Sequence, residues 1–132
     1  MSEEKVANAF AYLEGKRTIS LTTYRKNGTG VSTPVEFVNV NGKLYISTRK
    51  DSYKVKRIKN DTNAEIAPCT MRGKETGSRI KVKARILSEE EQQLAIDSLK
   101  ALYSGIMYRV LGKLFFMRNK DERVYLEVIP AV

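Results

Sequence analysis

Near the start of the chain, Val6, Phe10 and Leu13 recur at three- and four-residue spacing, which predicts a short helix over Glu3–Leu13 ended by Gly15. The period then changes. Arg17–Tyr24 (RTISLTTY) is rich in β-branched residues and reads as a strand. Asn27-Gly28 is a hairpin signal, and Val31–Val40 returns as a second strand, broken by Pro34. Proline lacks an N–H, so it belongs at an edge or a bulge. A second hairpin turn, Asn41-Gly42, leads into a third strand over Lys43–Thr48. Asp51–Asn60 reads as a short helix with Asp51 or Ser52 at its N-cap.

Thr62–Arg72 is a fourth strand, and Gly73 to Gly77 a polar turn. Arg79–Leu87 alternates cleanly, with Ile80, Val82, Ala84 and Ile86 on one face and Lys81, Lys83 and Arg85 on the other. Such alternation marks a half-buried strand. Ser88 and Glu91 form an S-x-x-E capping box ahead of a helix that aligns Ala95, Leu99 and Leu102. A further helical piece over Ile106–Phe116 and a last strand over Glu122–Ile129 complete the chain.

Hairpin links dominate this order. They predict one domain over residues 1–132, mainly β with peripheral helices, in which six antiparallel strands close into a small barrel. No strand–helix–strand repeat and no G-x-G-x-x-G occurs, which argues against a dinucleotide-binding parallel sheet. A domain of this size buries only about two thirds of its unfolded surface, so a large enclosed site is easier to build between two copies.

Charge narrows the partners. The chain has 24 Lys and Arg against 15 Asp and Glu, a net charge of +9. That excess calls for an anion: a phosphate-bearing cofactor, nucleic acid or a membrane surface. No histidine is present, which excludes Ser-His-Asp or Cys-His nucleophiles and His-ligated metal sites. The single cysteine, Cys69, permits no internal disulfide and fits a reducing, cytoplasmic setting. Beside Pro68 and with no base to name, it reads as a buried structural thiol. The acidic opening MSEEKVANAF is unlike a signal peptide, and Ile106–Met117, interrupted by Arg109, Gly112 and Lys113, is too short and charged to span a bilayer. Tyr103, Tyr108, Phe115 and Phe116 read as core or interface residues, or as one wall of a pocket.

Candidate chemistry centres on Arg49–Lys59, which holds six cations and one acid. On a helix Lys50, Lys54 and Arg57 share a face, while Val55 and Ile58 can anchor the helix to the barrel. Ser52 stands at the first turn, where free N–H groups favour an anion. This makes either a phosphate cradle or a solvated basic helix. Ser32-Thr33-Pro34-Val35 is either an ordinary edge strand or one that presents backbone and hydroxyl groups to a planar ring, and Ser47-Thr48 carries the same two readings.

Together these segments resemble a known family. Ile19–Tyr24, Gly28, Val31-Ser-Thr-Pro-Val-Glu-Phe37, Leu44-Tyr-Ile-Ser-Thr48, Asp51-Ser-Tyr-Lys-Val-Lys-Arg-Ile58, Ala67-Pro-Cys-Thr-Met-Arg-Gly73 and the closing Glu122–Pro130 resemble the pyridoxamine 5′-phosphate oxidase-like superfamily. Within it, the chain is most similar to the flavin/deazaflavin (F420)-dependent oxidoreductases. The resemblance implies a six-stranded split β-barrel of the FMN-binding type, a homodimer with cofactor sites at its interface, and coenzyme F420, or alternatively FMN, as cofactor. It implies that Ser52, Lys54 and Arg57 grip the cofactor phosphate. By the same resemblance Ser32, Thr33, Pro34 and Val35 lie along the ring, Ser47 and Thr48 make polar contacts, and Ala67 and Pro68 lie beside it. Glu36 stands where close relatives carry a bulky aromatic. The pattern for binding pyridoxal phosphate is missing, so pyridoxamine phosphate oxidation itself is not expected.

The expected activity is hydride transfer between that cofactor and a small organic substrate, with no side chain needed as nucleophile or metal ligand. Two other classes compete: a non-catalytic barrel that holds or sequesters the flavin, and a nucleic-acid-binding barrel. The second is disfavoured because the cations lack interleaved aromatic stacking positions.

Overall fold

The computed structural model describes residues 9–102 and 122–131. Within them the chain forms β1 (Thr18–Tyr24), β2 (Gly30–Glu36), β3 (Val38–Val40), β4 (Lys43–Arg49), helix α1 (Tyr53–Asn60), β5 (Asn63–Pro68), β6 (Ile80–Ile86), helix α2 (Gln92–Leu102) and β7 (Arg123–Pro130). A single 3₁₀ turn, Ala11–Leu13, precedes β1. The expected helices over Glu3–Leu13 and Ile106–Phe116, with the aromatic residues of the latter region, lie largely or wholly outside the described residues.

All strands join one antiparallel sheet in the order β2-β1-β5-β6-β7-β4-β3. The described sheet has seven strands, a correction to the expected six. The reason lies in Val31–Val40. That stretch does not break at Pro34, which stays inside β2 opposite Ser20. It breaks at Phe37, whose N–H leaves both ladders and donates to Arg17 O at 3.2 Å. Residues before Phe37 pair with β1, and residues after it pair with β4. The two edge strands are therefore consecutive in sequence, and the sheet must curl until its edges meet. Phe37 itself is buried at that corner. Pro34 is tolerated because β2 has a neighbour on one side only in the described sheet.

Inside the curl, Ile19, Leu21, Leu44, Ile46, Ile66, Val82, Leu126 and Val128 form the main core with Phe10, Leu13 and Ile58. A second cluster joins Tyr45 and Tyr125, on the opposite face of the sheet, to Leu87, Ala95 and Leu99 of α2. The alternation expected for Arg79–Leu87 holds: Val82 and Ala84 are buried while Lys81, Lys83 and Arg85 are exposed. The fourth strand is shorter than expected. It stops at Pro68, and Cys69 keeps an isolated bridge to Glu75 and an N–H bond to Thr18 O at 3.3 Å. Asn41 (φ 53°) and Gly42 (φ 86°) take the left-handed conformations that a two-residue turn needs.

The capping box forms as written in the sequence. Ser88 N donates to Glu91 Oε1 at 3.1 Å, and Glu91 N donates to Ser88 Oγ at 3.3 Å. Arg85 closes on the same carboxylate at 2.8 Å. Together, Arg85 first and then the Ser88 contacts, they hold Glu91 down at about 2, from an ordinary 4.5. A carboxylate held low adds stability that is complete above its ordinary value and is lost as pH falls toward the folded one. Thermal melts of wild type and Glu91→Gln should therefore differ above pH 4.5 and converge as pH approaches 2. A difference that persists unchanged at pH 2 would contradict this.

Candidate functional site

Helix α1 packs against β1 and β6, and its Lys54 reaches Thr48 of β4. Between β2 and α1 opens a cleft of about 560 Å³, lined by Arg25, Val31, Thr33, Ser52, Tyr53, Lys54 and Arg57. Each element contributes for a local reason. Strand alternation turns Val31 and Thr33 toward the cleft and Ser32 and Pro34 away. Helix spacing brings Lys54 and Arg57 onto one face, while Val55 and Ile58, both buried, fix α1 to the barrel. Arg25 enters from the β1–β2 hairpin.

Two hydroxyls distinguish the cleft. Thr33 Oγ1 and Ser52 Oγ are buried and have no hydrogen-bond partner among the described residues. Ser52 is the N-cap of α1 by its backbone (φ −70°, ψ 152°), yet its hydroxyl caps nothing. A buried hydroxyl left unpaired costs about 1–3 kcal/mol. Orphans of this kind cluster where a ligand completes the hydrogen bonding.

The cations are held in place by neutral groups. Lys54 Nζ donates to Thr48 Oγ1 at 3.2 Å, and Arg57 Nε donates to Thr23 Oγ1 at 2.6 Å. No carboxylate lines the cleft among the described residues. Burial, then the nearby Arg57 and Arg123, pushes the Lys54 ammonium down from its ordinary value. Burial, then Arg25, does the same to Arg57. The protonated forms are thus under strain, and an anion would relieve it. Tyr53 stands at the mouth, 74% exposed, with Lys56 Nζ 5.0 Å from its ring centroid.

Of the residues singled out from sequence, the structure brings Thr33, Ser52, Lys54 and Arg57 into this cleft, with Thr48 touching it through Lys54. Ser32 faces the other side, where it shares a 2.6 Å hydrogen bond with Thr22 and accepts one from Arg79. Pro34 shares that outer side. Val35 is half-buried against the core. Ser47 accepts hydrogen bonds from Arg123 at its hydroxyl (2.5 Å) and its carbonyl (3.0 Å). Pro68 ends β5 opposite Ile19, packed where a Cβ on Gly77 would come within 2.7 Å of its ring. Arg25, Val31, Tyr53 and Thr23 were not singled out; period-two spacing from Thr33 points to Val31, but nothing in the sequence links Arg25 to the helix. Cys69 is half-exposed rather than buried, and partial burial and Glu75 push its thiol up, so it is not an activated nucleophile.

The residues fit a phosphate-bearing ligand. Three cations, two free hydroxyls and the start of a helix meet around one cavity, and each is a donor that a phosphate oxygen accepts. Among the described residues no group of three or more Cys, Asp or Glu is placed to hold a metal, and no helix is long and apolar enough to cross a membrane.

Solved structures share the fold at low identity. The chain is similar to HutZ, the heme storage protein from Vibrio cholerae (10% identical, TM-score 0.64, covering 100% of this chain and 92% of that one). It is similar to General Stress Protein 26 from Bacillus anthracis (18%, TM-score 0.56, 97% and 88%) and to a NimC/NimA family protein from Clostridium acetobutylicum (15%, TM-score 0.61, 96% and 80%). No curated protein matches it by sequence. Family matching spans residues 6–131, nearly all of the chain, and with the curled antiparallel sheet it establishes that the chain belongs to the pyridoxamine 5′-phosphate oxidase family.

Proposed function

We propose that the protein is an oxidoreductase that binds coenzyme F420, or alternatively FMN, by its ribityl phosphate in this cleft and acts on a small organic substrate as a homodimer. The observation that carries the reading is the pair of orphaned buried hydroxyls, Thr33 Oγ1 and Ser52 Oγ, set among Lys54, Arg57 and Arg25. The cofactor ring, when bound, supplies hydride transfer. The chain's own residues bind and orient. Lys54 and Arg57 supply charge, Ser52 and Thr33 supply hydroxyl donors, and β2 forms the adjoining wall. The second copy is inferred from β2, which pairs only with β1 in the described sheet.

HutZ supports a second reading, a barrel that stores a ligand without turnover. This chain has no histidine, so imidazole ligation of haem is not available to it.

Calorimetric titration of the purified protein with F420 and with FMN tests the proposal. Tight binding of one of them, coupled with its oxidation or reduction in the presence of an enone or quinone, supports an oxidoreductase. Binding without turnover favours storage. If neither cofactor binds and sedimentation gives a monomer, the proposal fails.

A further inference from the structure

Two arginines on the sheet surface, Arg79 and Arg85, are tied to carboxylates. Arg79 pairs with Glu75 at 2.8 Å and with Glu65 at 3.7 Å. Arg85 pairs with Glu91 at 2.8 Å and with Glu127 at 3.0 Å. The cleft follows the opposite rule. Its two helix cations, one turn apart, each donate to a threonine: Arg57 to Thr23 of β1 and Lys54 to Thr48 of β4. Both threonines are buried, Thr23 fully (0% exposed) and Thr48 nearly so (5%).

We infer that Thr23 and Thr48 are positioning residues, neutral anchors that fix Arg57 and Lys54 in the cleft without cancelling their charge. The inference rests on the anion-binding reading above. A carboxylate at either position would hold its cation as firmly, yet would quench the field that the ligand needs. A hydroxyl accepts one hydrogen bond and leaves the charge whole. Anchoring matters because both side chains are long: a free Arg or Lys must lose its rotamer freedom when it binds, and one already fixed does not. The contact uses Arg57 Nε, and among the described residues neither terminal nitrogen of the guanidinium has a hydrogen-bond partner, so both can meet two oxygens of one anion. It also explains two buried threonine hydroxyls on inward-facing positions of an otherwise apolar barrel, where Thr23 follows Ile19 and Leu21 on the same face.

The test separates hydroxyl from methyl, and anchor from ligand. Thr23→Val keeps the shape and removes the acceptor; Thr23→Ser keeps the acceptor and removes the methyl. Titrated with whichever of FMN and F420 the wild type binds, Thr23→Val should weaken binding about tenfold and Thr23→Ser by less than about threefold, the scale of one hydrogen bond to a charged group. Thr48→Val and Thr48→Ser should repeat the pattern. A second readout needs no ligand: the Arg57 Nε–H resonance should be resolved and slow to exchange in wild type and in Thr23→Ser, and should broaden in Thr23→Val. Val and Ser variants that bind alike, or an Arg57 Nε–H that exchanges freely in wild type, overturn the inference. If neither cofactor binds the wild type while Arg57 Nε–H is protected and loses protection in Thr23→Val, the anchor stands and the proposed cofactor falls.

Discussion

Replacing Lys54 or Arg57 by alanine is expected to weaken cofactor binding by about ten- to a hundredfold each, while leaving the free protein folded. The binding loss follows from a charge-assisted hydrogen bond, worth about 1.5–3 kcal/mol. Relief of crowded like charge offsets the loss of the hydrogen bond to Thr48 or Thr23. Lys54 is pushed down first by burial and then by Arg57 and Arg123, and Arg57 by burial and Arg25. A base held below its ordinary value takes up its proton less readily folded than unfolded. Stability therefore rises with pH from the depressed folded value of Lys54 up to its ordinary 10.5, and lies at its lower level below that window. Lys54→Ala removes the slope. Thermal melts across alkaline pH, beside calorimetric titrations with F420 and FMN at fixed salt, check both halves. A variant that binds as tightly as wild type sinks the phosphate assignment. A variant that binds weakly because it has unfolded would show in the melts, and would refute the claim that these cations serve the ligand at the expense of the fold.

The same residues show where the sequence speaks and where it stops. The alternation of Arg79–Leu87, the Ser88–Glu91 box and the Asn41-Gly42 turn are local devices, and each forms as its residues predict. The split at Phe37 is not local. It is set by which strand lies beside each half of the segment, β1 or β4, and that is decided only when the sheet curls. The missed strand end at Pro68 has a related cause: Thr70 N turns to Lys74 O at 2.9 Å in a tight loop, with Gly73 at φ 93°. β-branched composition alone does not reveal that the ladder has ended.

The cleft divides similarly. Helix periodicity places Lys54 and Arg57 together, and Ser52 precedes them at the cap. On β2, neighbouring residues must face opposite ways, so Ser32 and Thr33 cannot both line one cleft. The sequence names the pair; the tertiary fold selects Thr33. Thr23 and Arg25 come from the β1–β2 hairpin and meet Arg57 of α1 across more than thirty residues, so no spacing rule connects them to it.

Leu126→Ala is expected to cost the largest share of folding stability, about 2–5 kcal/mol by the usual scale for a buried leucine truncated to alanine. Leu126 is 0% exposed and belongs to the main core. Its place in the sheet makes it more than an average core residue. It lies on β7, opposite Ile46 of β4 on one side and Ile86 of β6 on the other. β7 is the only strand in the described sheet that joins the β2-β1-β5-β6 half to the β4-β3 half. A cavity there loosens both ladders at once, because the surrounding side chains cannot collapse inward without pulling the halves out of register. Domains of this kind hold only about 5–15 kcal/mol in total, so the variant should melt many degrees lower. Urea unfolding followed by circular dichroism measures the change. Leu94→Ala, on an exposed position of α2, is the matched control and should shift the midpoint little. Because the cleft needs α1 set against β1 and β4, the loosened variant should also lose cofactor affinity, and tight binding should in turn raise its melting temperature. Equal stability of Leu126→Ala and Leu94→Ala would show that β7 does not carry the join between the two halves.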